Sequence, residues 1–176
     1  MFIYRVKQFF KAVTAKITDE DIEFINRYLE PFEIELFNKL KVYDKKHCIN
    51  VAKDILEETK KISLNHDEIN TLIKAGFLHD IGKLYKSLNP IEKSIVVVLD
   101  FITKGRLKKF DNIKFINVYY NHGEIGYNIL KEYNYDDNLL NLIRYHHTSN
   151  YQNISMDILK KCDDRNWFYL LKVNSN

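Results

Sequence analysis

Apolar residues recur at three- and four-residue intervals along most of this 176-residue chain, the spacing of one face of an α-helix. The stripe that leads into Asp80 is the clearest case, and a carboxylate at that position would point into the core. Burying an unpaired carboxylate costs several kcal/mol. The pattern therefore favours either a cation beside Asp80 or a helix end, with Gly82 as its stop, from which Asp80 turns to solvent. The stripe consists of Ile69, Leu72, Ile73, Gly76 and Phe77.

The same periodicity predicts helices throughout the chain and almost no strand. Thr18, Pro31, Asn65 or Asp67, and Asn89 with Pro90 are typical helix starts. The fold class predicted is all-α, a compact bundle of about seven to ten helices. The predicted helices cover residues 2–16, 18–29, 31–40, 44–60, 65–80, a segment that starts at 89–90, 111–119, 121–133, 136–147 and 154–167.

One apolar run fits two kinds of structure. Residues 95–99 read Ile-Val-Val-Val-Leu, which taken alone fits a buried strand. The length of the segment and its helical neighbours favour a buried helix instead. Lys104-Gly105-Arg106 and Lys108-Lys109 predict a basic loop after this helix.

Composition narrows the class of protein. A hydrophobic content of 45% and an aromatic content of 14% indicate a globular chain, and its length favours one domain. The net charge of +3 is too small to call for a nucleic-acid partner. No run approaches the roughly 18 apolar residues of a membrane span, so no membrane partner is expected. Without a secretory signal, Cys48 and Cys162 are expected to be reduced thiols of a cytoplasmic protein.

Histidine and aspartate side chains lie on the inward stripes of several different predicted helices. A single inward histidine is more often a core residue than a ligand. Several on separate helices indicate a shared metal site instead, because imidazole and carboxylate groups together suit divalent Fe, Mn and Zn. The side chains concerned are His47, His79, Asp80, His122, His146 and Asp163.

Two positions within this set have close neighbours that compete for the same role. Asp163 continues the apolar line of Met156 and Leu159, so it is preferred to Asp164, which follows polar residues. His147 also lies near the inward face of its helix, so that either it or His146 is the ligand.

The ordered set resembles the HD-domain superfamily of metal-dependent phosphohydrolases. Residues 79–83 read His-Asp-Ile-Gly-Lys, the best-known signature of that superfamily. Residues 46–52, 121–126 and 143–147 resemble the neighbourhoods of its other ligands. The likeness covers residues 44–167, so we expect an HD domain there, with residues 1–43 as a helical extension packed on it and 168–176 as a tail.

The resemblance implies two divalent metal ions. His47, His79, Asp80 and Asp163 would hold the first, and Asp80 would bridge to a second held by His122 and His146. Iron or manganese is implied first, with Mg, Zn, Ni or Co as alternatives.

The implied reaction is cleavage of a phosphoester or phosphoanhydride in a small nucleotide-like substrate by a metal-bridging hydroxide. Asp80 and Lys83 would be catalytic, and Lys83, Arg144 and His147 would bind substrate. Arg106, Lys108 and Lys109 are further candidates for phosphate contacts, or else ordinary surface charges. The alternative function is a non-catalytic metal-binding module that senses a ligand or acts as an interaction domain.

Several departures from the superfamily pattern bear on the substrate. Thr148 and Tyr43 stand where some branches have Glu, and no Gly-Tyr-Pro segment is present. Cyclic di-GMP and a third metal are therefore disfavoured. The Ile-Arg-Tyr-His sequence at 143–146 is similar to a bacterial branch that splits diadenosine tetraphosphate. Cys162-Asp163-Asp164 stands where Ala-Asp is usual.

Overall fold

The computed structural model describes residues 15–167, apart from the side chains at positions 90, 94 and 167, and contains no strand in that range. The all-α prediction is therefore confirmed. The predicted tail 168–176 and nearly all of the predicted helix 2–16 lie outside the described residues. The α-helices are α1 (Asp19–Tyr28), α2 (Pro31–Asn38), α3 (Val42–Thr59), α4 (His66–Leu78), α5 (Pro90–Thr103), α6 (Lys114–Leu130), α7 (Asp137–Tyr145) and α8 (Ile154–Trp167). Two short 3₁₀ helices follow α4 and α5, at Ile81–Leu84 and Arg106–Phe110.

Helix starts follow the sequence closely because the side chains satisfy the first free amides. The Thr18 hydroxyl accepts a hydrogen bond from the Asp21 amide, and the Asp21 carboxylate accepts one from the Thr18 amide. Asn65 and Asn89 cap α4 and α5 in the same reciprocal way with the glutamates three residues later. Pro31 is the first residue of α2, as predicted.

Helices α3 and α4 pack together at the centre, with α7 and α8 against them. Their apolar faces form one core that includes Ile49, Ile55, Leu72 and Phe77. Phe37 and other residues of α1 and α2 join the same core, so the described part of the N-terminal segment is packed on it. The domain boundaries at 43/44 and 167/168 stay predictions.

Buried ion pairs hold α1 and α2 against the central helices. Asp21 is fully buried, with Lys46 at 2.5 Å and Lys53 at 2.7 Å. Glu33 is also fully buried and lies 2.9 Å from Lys74. Because both carboxylates have cationic partners, their burial does not leave an uncompensated charge.

Two sequence predictions about the second half are wrong. The separate helices predicted over 111–119 and 121–133 form one helix, α6, because no glycine or proline interrupts residues 114–122. Residues 95–99 are helical as predicted but not buried as a unit, since only Val96 is enclosed while Ile95, Val98 and Leu99 are exposed. The 3₁₀ helix Arg106–Phe110 and α6 pack against the same side of α5, so only one narrow face is buried.

The basic segment after α5 is also more ordered than a loop. It contains the 3₁₀ helix Arg106–Phe110, and Leu107 is buried with Val96 and Ile116 in a small second apolar cluster. None of the helices within residues 15–167 combines the length and apolar character needed to cross a membrane.

Candidate metal centre

Five segments bring the six predicted ligands into one cluster. His47 comes from α3, His122 from the middle of α6, and Asp163 from α8. The end of α4 supplies two more, because α4 stops at Leu78 and His79 is its C-cap. His146 is the C-cap of α7, and all six side chains are buried or nearly so.

The first group of ligands surrounds Asp163 and one oxygen of Asp80. Asp163 Oδ1 lies 3.0 Å from His47 Nε2 and 3.6 Å from His79 Nε2. Asp80 Oδ2 lies 3.7 Å from His47 Nε2 and 3.6 Å from His79 Nε2. Two imidazoles and two carboxylates therefore converge on one small volume.

The second group faces the other oxygen of Asp80. Asp80 Oδ1 lies 3.3 Å from His122 Nε2, and His122 Nε2 lies 3.2 Å from His146 Nε2. The two oxygens of a single carboxylate thus point to two different sets of imidazoles. This is the arrangement that a bridging ligand needs.

Main-chain carbonyls fix the orientation of three of these rings. A carbonyl oxygen can only accept, so the Nδ1 atom that bonds to it carries the hydrogen. In a neutral ring the Nε2 atom then keeps its lone pair, and that lone pair points into the cluster. The bonds run from Nδ1 of His79 to Gly76 O (2.9 Å), of His122 to Val118 O (3.0 Å) and of His146 to Ile143 O (2.7 Å).

Protonation states fit the same interpretation. Burial, together with the neighbouring His147 and His122, holds the pKa of His146 well below its usual range, so this ring is neutral. Burial raises the pKa of the Asp80 carboxyl, but Lys83 and His79 outweigh burial and hold it well below its usual value. The cluster therefore combines a neutral imidazole at His146 with an ionised carboxylate at Asp80.

Burial lowers the pKa of His79, yet Asp80 and Asp163 outweigh that effect and raise it. The two carboxylates thus attract positive charge to this point of the cluster.

A divalent cation fits the donors that are present. Among the described side chains, the buried atoms that face the cluster without a hydrogen bond of acceptable geometry include His79 Nε2, Asp80 Oδ1 and Asp163 Oδ1. Buried polar atoms rarely lack a partner, because the desolvation cost is then uncompensated. Imidazole nitrogen and carboxylate oxygen are suitable ligands for iron, manganese or zinc.

Lys83 enters the cluster from the 3₁₀ helix after α4. Its Nζ donates to Asp80 Oδ2 and lies 3.8 Å from Asp44 Oδ1. Burial lowers the pKa of Lys83, but Asp80 and Asp44 outweigh it and raise the pKa above its usual value, so the side chain is a cation. Sequence reasoning missed Asp44, although it lies three residues before His47 on the same helix.

Asp163 and Asp164 take opposite environments. Asp163 is buried against His47 and His79, whereas Asp164 is exposed. Cys48 follows His47 in the chain and Cys162 precedes Asp163. Both are buried free thiols whose pKa is raised by burial. They pack beside the cluster as small apolar residues.

Gly82 allows two elements to pack closely, and its backbone does not have the left-handed conformation that often ends a helix. In the part of the chain that the structure describes, Gly105 is the glycine with a positive φ. A Cβ atom on Gly82 would lie 1.9 Å from the His122 carbonyl oxygen and 2.7 Å from the Gly126 nitrogen. The absence of a side chain lets the 3₁₀ helix touch α6 and sets Asp80 beside His122.

A polar cavity of about 220 Å³ opens beside the second group of ligands. Arg144 lines it, but its guanidinium donates two hydrogen bonds to the Glu124 carboxylate, from Nε at 2.6 Å and from Nη2 at 2.9 Å.

His147 is exposed in this cavity, and its ring centre lies 4.8 Å from that of His122 and 4.1 Å from that of His146. His146 and His147 can therefore both join His122 around one ion. The remaining lining residues are Lys108, Tyr120, Asn121, Gly123, Tyr145, Thr148 and Asn150.

The basic segment contributes unequally to this region. Lys108 lines the cavity, whereas Arg106 and Lys109 are exposed outside it.

Lys93 is a further cation near the cluster that sequence reasoning missed. It lies on the inward side of α5, where its charge interacts with Lys83, Asp44 and Asp80. Burial and the charge of Lys83 lower the pKa of Lys93 to about 7. No sequence signal marked it, because a lone lysine in an apolar helix resembles a solvated residue.

Tyr43 holds the segment before α5 against α3. Its hydroxyl donates to the Leu88 carbonyl. The residue that replaces a branch-specific Glu thus contributes a structural contact at this edge of the site.

Comparison with known proteins agrees with this geometry. A family model described as the HD domain matches residues 45–165, well over half of the chain. Searches of curated proteins and of solved structures give no significant match. The match spans all six residues predicted as ligands, and the resemblance inferred from the sequence is confirmed. This chain therefore belongs to the HD domain family, which includes metal-dependent phosphohydrolases.

Proposed function

We propose that this protein is a metal-dependent phosphohydrolase that cleaves a phosphoester or phosphoanhydride bond in a nucleotide-like substrate. The observation that carries the proposal is the carboxylate of Asp80, whose two oxygens face two separate imidazole groups. Membership of the HD domain family supports the same reaction class.

The six clustered side chains divide into two sets of metal ligands. His47, His79, Asp80 and Asp163 would hold one ion, while Asp80, His122 and His146 would hold the other. Bound divalent ions, with iron or manganese as our first choice, would supply Lewis acidity and a hydroxide nucleophile at neutral pH.

Lys83 and Lys93 are the cations of the chain best suited to the phosphoryl group. Lys83 is held at the cluster by Asp80 and Asp44, so its charge is positioned before a substrate arrives. A positioned cation stabilises negative charge as it develops on phosphoryl oxygens. Lys93, whose pKa is lowered to about 7, brings a second, partly protonated amine from α5 toward the same carboxylates.

The cavity beside His147 supports a nucleotide as the substrate class. Tyr120 and Tyr145 offer aromatic rings for a planar base, and Lys108 offers a cation for a further phosphate. The side chain of Arg144 lines the same space. A substrate with phosphate at the ligand cluster and a base in the cavity fits these groups.

The alternative is a non-catalytic HD module in which bound metal braces the helices and the pocket senses a ligand. A module without catalysis has no need of a complete ligand set. The presence of all six ligands together with Lys83 therefore favours the enzyme.

The test is hydrolysis of bis(p-nitrophenyl) phosphate and of a nucleotide panel, measured with Mn²⁺ and, under anaerobic conditions, Fe²⁺. The panel includes diadenosine tetraphosphate. We expect turnover by the wild type and loss of at least about 100-fold in a His79→Ala/Asp80→Ala variant.

The chain offers a matched control at the other end of the same helix. His66 and Asp67 are also adjacent but are exposed, so His66→Ala/Asp67→Ala should keep full activity. Wild-type protein that is loaded with two metals yet turns over no member of the panel would support the sensor alternative.

A further inference from the structure

Helix α5 carries a straight line of apolar side chains on its outer side. At 100° per residue, positions 91, 95, 98 and 102 fall within an arc of about 60°. Successive residues of this line are four, three and four positions apart, which is the spacing of a helix face that normally packs against another element. They are Ile91, Ile95, Val98 and Ile102, with 59%, 52%, 47% and 67% of their surface exposed.

The inner side of α5 is the more polar one. Lys93 interacts there with the charges of the ligand cluster, and Asp100 accepts a hydrogen bond from the Tyr120 hydroxyl. Val96 is the buried apolar contact of this face. A surface helix ordinarily has the reverse orientation, with its apolar stripe toward the core. The packing of residues 15–167 therefore gives the outer apolar line no partner.

A cluster of positive charge follows directly at the end of this line. Lys104, Arg106, Lys108 and Lys109 are all exposed, and the sequence between Asp100 and Asp111 contains no acid. Among the described side chains, none of these four cations lies within ion-pair distance of a carboxylate. Two aromatic rings flank them, Phe101 with 73% and Phe110 with 56% of its surface exposed.

We propose that α5 and the basic segment 104–110 form a docking surface for an anionic lipid bilayer. The apolar line would enter the boundary between headgroups and acyl chains. Lys104, Arg106 and Lys109, which lie outside the cavity lined by Lys108 and pair with no carboxylate of the described chain, would meet anionic headgroups. This differs from the sequence expectation of no membrane partner, which considered only segments that span a bilayer.

A second copy of the chain fits this surface less well. A helix of 14 residues is about 21 Å long and about 10 Å wide, so its footprint is a few hundred Å². A stable interface buries about 800 Å² on each partner. In a symmetric pair, a copy would also bring the same four cations against these four, with no acid in residues 101–110 to neutralise them. An anionic bilayer supplies both a wide apolar phase and the opposite charge.

The proposal does not depend on the phosphohydrolase reaction. The apolar line lies on the side of α5 away from Lys93, so binding at this face leaves the ligand cluster untouched. Variants of the outer face should therefore keep the hydrolytic activity of the wild type.

The experiment is co-sedimentation of the full chain with vesicles of phosphatidylcholine, with and without about 30% phosphatidylglycerol. We expect binding to the anionic vesicles, at least about tenfold weaker binding to neutral ones, and a similar loss at about 0.5 M salt. Phe101→Ser/Ile102→Ser and Lys104→Glu/Lys109→Glu should each weaken binding by at least about tenfold.

Control variants come from exposed residues elsewhere. Ile22→Ser/Ile154→Ser removes two exposed apolar side chains from α1 and α8, and Lys41→Glu/Lys131→Glu reverses two other exposed charges. Both controls should bind like the wild type. Circular dichroism checks the fold of each variant.

A second measurement covers the case in which a double variant fails to fold. Trp167 is the sole tryptophan of the chain, so an Ile102→Trp variant adds one fluorophore on the outer face. Bromine-labelled lipids in anionic vesicles should quench its fluorescence beyond the quenching seen in the parent protein.

Three results would overturn the proposal. One is vesicle binding that is equal with neutral lipid and unaffected by the apolar double variant. Another is a dimer, detected by analytical ultracentrifugation, that Phe101→Ser/Ile102→Ser dissociates while vesicles bind no protein. The third is an absence of both vesicle binding and quenching, which would leave the face to another partner.

Discussion

The Nε2 atoms of His122 and His146 lie 3.2 Å apart, while each ring donates its Nδ1 hydrogen to a carbonyl of its own helix segment. When both rings are neutral in this tautomer, their Nε2 lone pairs face each other and no proton is shared. Their approach is therefore unfavourable unless a cation lies between or beside them.

Metal binding should accordingly stabilise the protein. Each saturable site adds about 2.7 kcal/mol to the free energy of unfolding when the free metal is 100 times its Kd. We expect thermal melts to shift upward between EDTA and Mn²⁺, and His146→Ala to reduce the shift. His66→Ala, at an exposed histidine, is the control and should show the full shift. Equal shifts in both variants would argue against His146 as a ligand.

Asp163 and Asp164 allow a test of the helix register. Loss of Asp163 leaves a cation undercoordinated, whereas Asp164 is exposed, and an exposed charge contributes only about 0–1 kcal/mol. Bound metal per chain, measured by plasma mass spectrometry, should fall in Asp163→Ala and stay near the wild-type value in Asp164→Ala. The reverse result would mean that the ligand assignment on α8 is off by one residue.

Lys93 should contribute to phosphate binding. A charge-assisted hydrogen bond is worth about 1.5–3 kcal/mol, and each 1.4 kcal/mol corresponds to a tenfold change in affinity. Lys93→Met should therefore weaken inorganic phosphate binding about tenfold in calorimetry, and Lys93→Arg should restore part of it. Lys86→Met, in the preceding loop, is the control. Unchanged affinity in Lys93→Met would remove Lys93 from the phosphate site.

Two glycines should respond differently to alanine. A Cβ on Gly82 meets backbone atoms of α6 at 1.9 Å, and backbone cannot give way cheaply. Gly82→Ala should lower the free energy of unfolding by more than about 3 kcal/mol and reduce bound metal. Gly105 has open space but a φ of +79°, so Gly105→Ala should cost only about 1 kcal/mol. Urea denaturation measures both, and similar values would contradict the close packing at Gly82.

The Asp21 ion pairs predict a specific pH dependence. Burial raises the pKa of the Asp21 carboxyl, but Lys46 and Lys53 outweigh it and lower the pKa below its unfolded value near 3.9. A carboxyl with a lowered folded pKa stabilises above the unfolded pKa, and this stabilisation is lost as the pH falls toward the folded one.

Asp21→Asn should therefore cost about 1–3 kcal/mol at pH 7, less than a fully enclosed pair because both lysines are partly solvated. Urea denaturation in EDTA should show the difference from wild type shrinking between pH 5 and pH 3. Asp19→Asn, in the same helical turn but exposed, should differ from wild type by less than about 1 kcal/mol at any pH. A constant difference for Asp21→Asn would contradict the ion-pair account.

The sequence by itself determined the fold class and the ligand candidates. Apolar spacing is a local property that a helix displays directly, and caps such as Thr18 and Asn89 act within three residues. The stripe of α8 placed Asp163 inward for the same reason. The signature at 79–83 added the family, which the comparison with family models bears out.

Tertiary structure decided what depends on neighbours distant in the chain. Such contacts join residues that are far apart in the sequence: Gly82 meets α6 at His122, Asp80 faces both His47 and His122, and Lys93 approaches Asp44. Periodicity cannot report these, because it records which face of a helix is apolar and not which element covers that face. Helix α5 is the example. Its apolar residues predicted a buried helix, but its polar side faces Tyr120 and the charged cluster, so the apolar line faces outward.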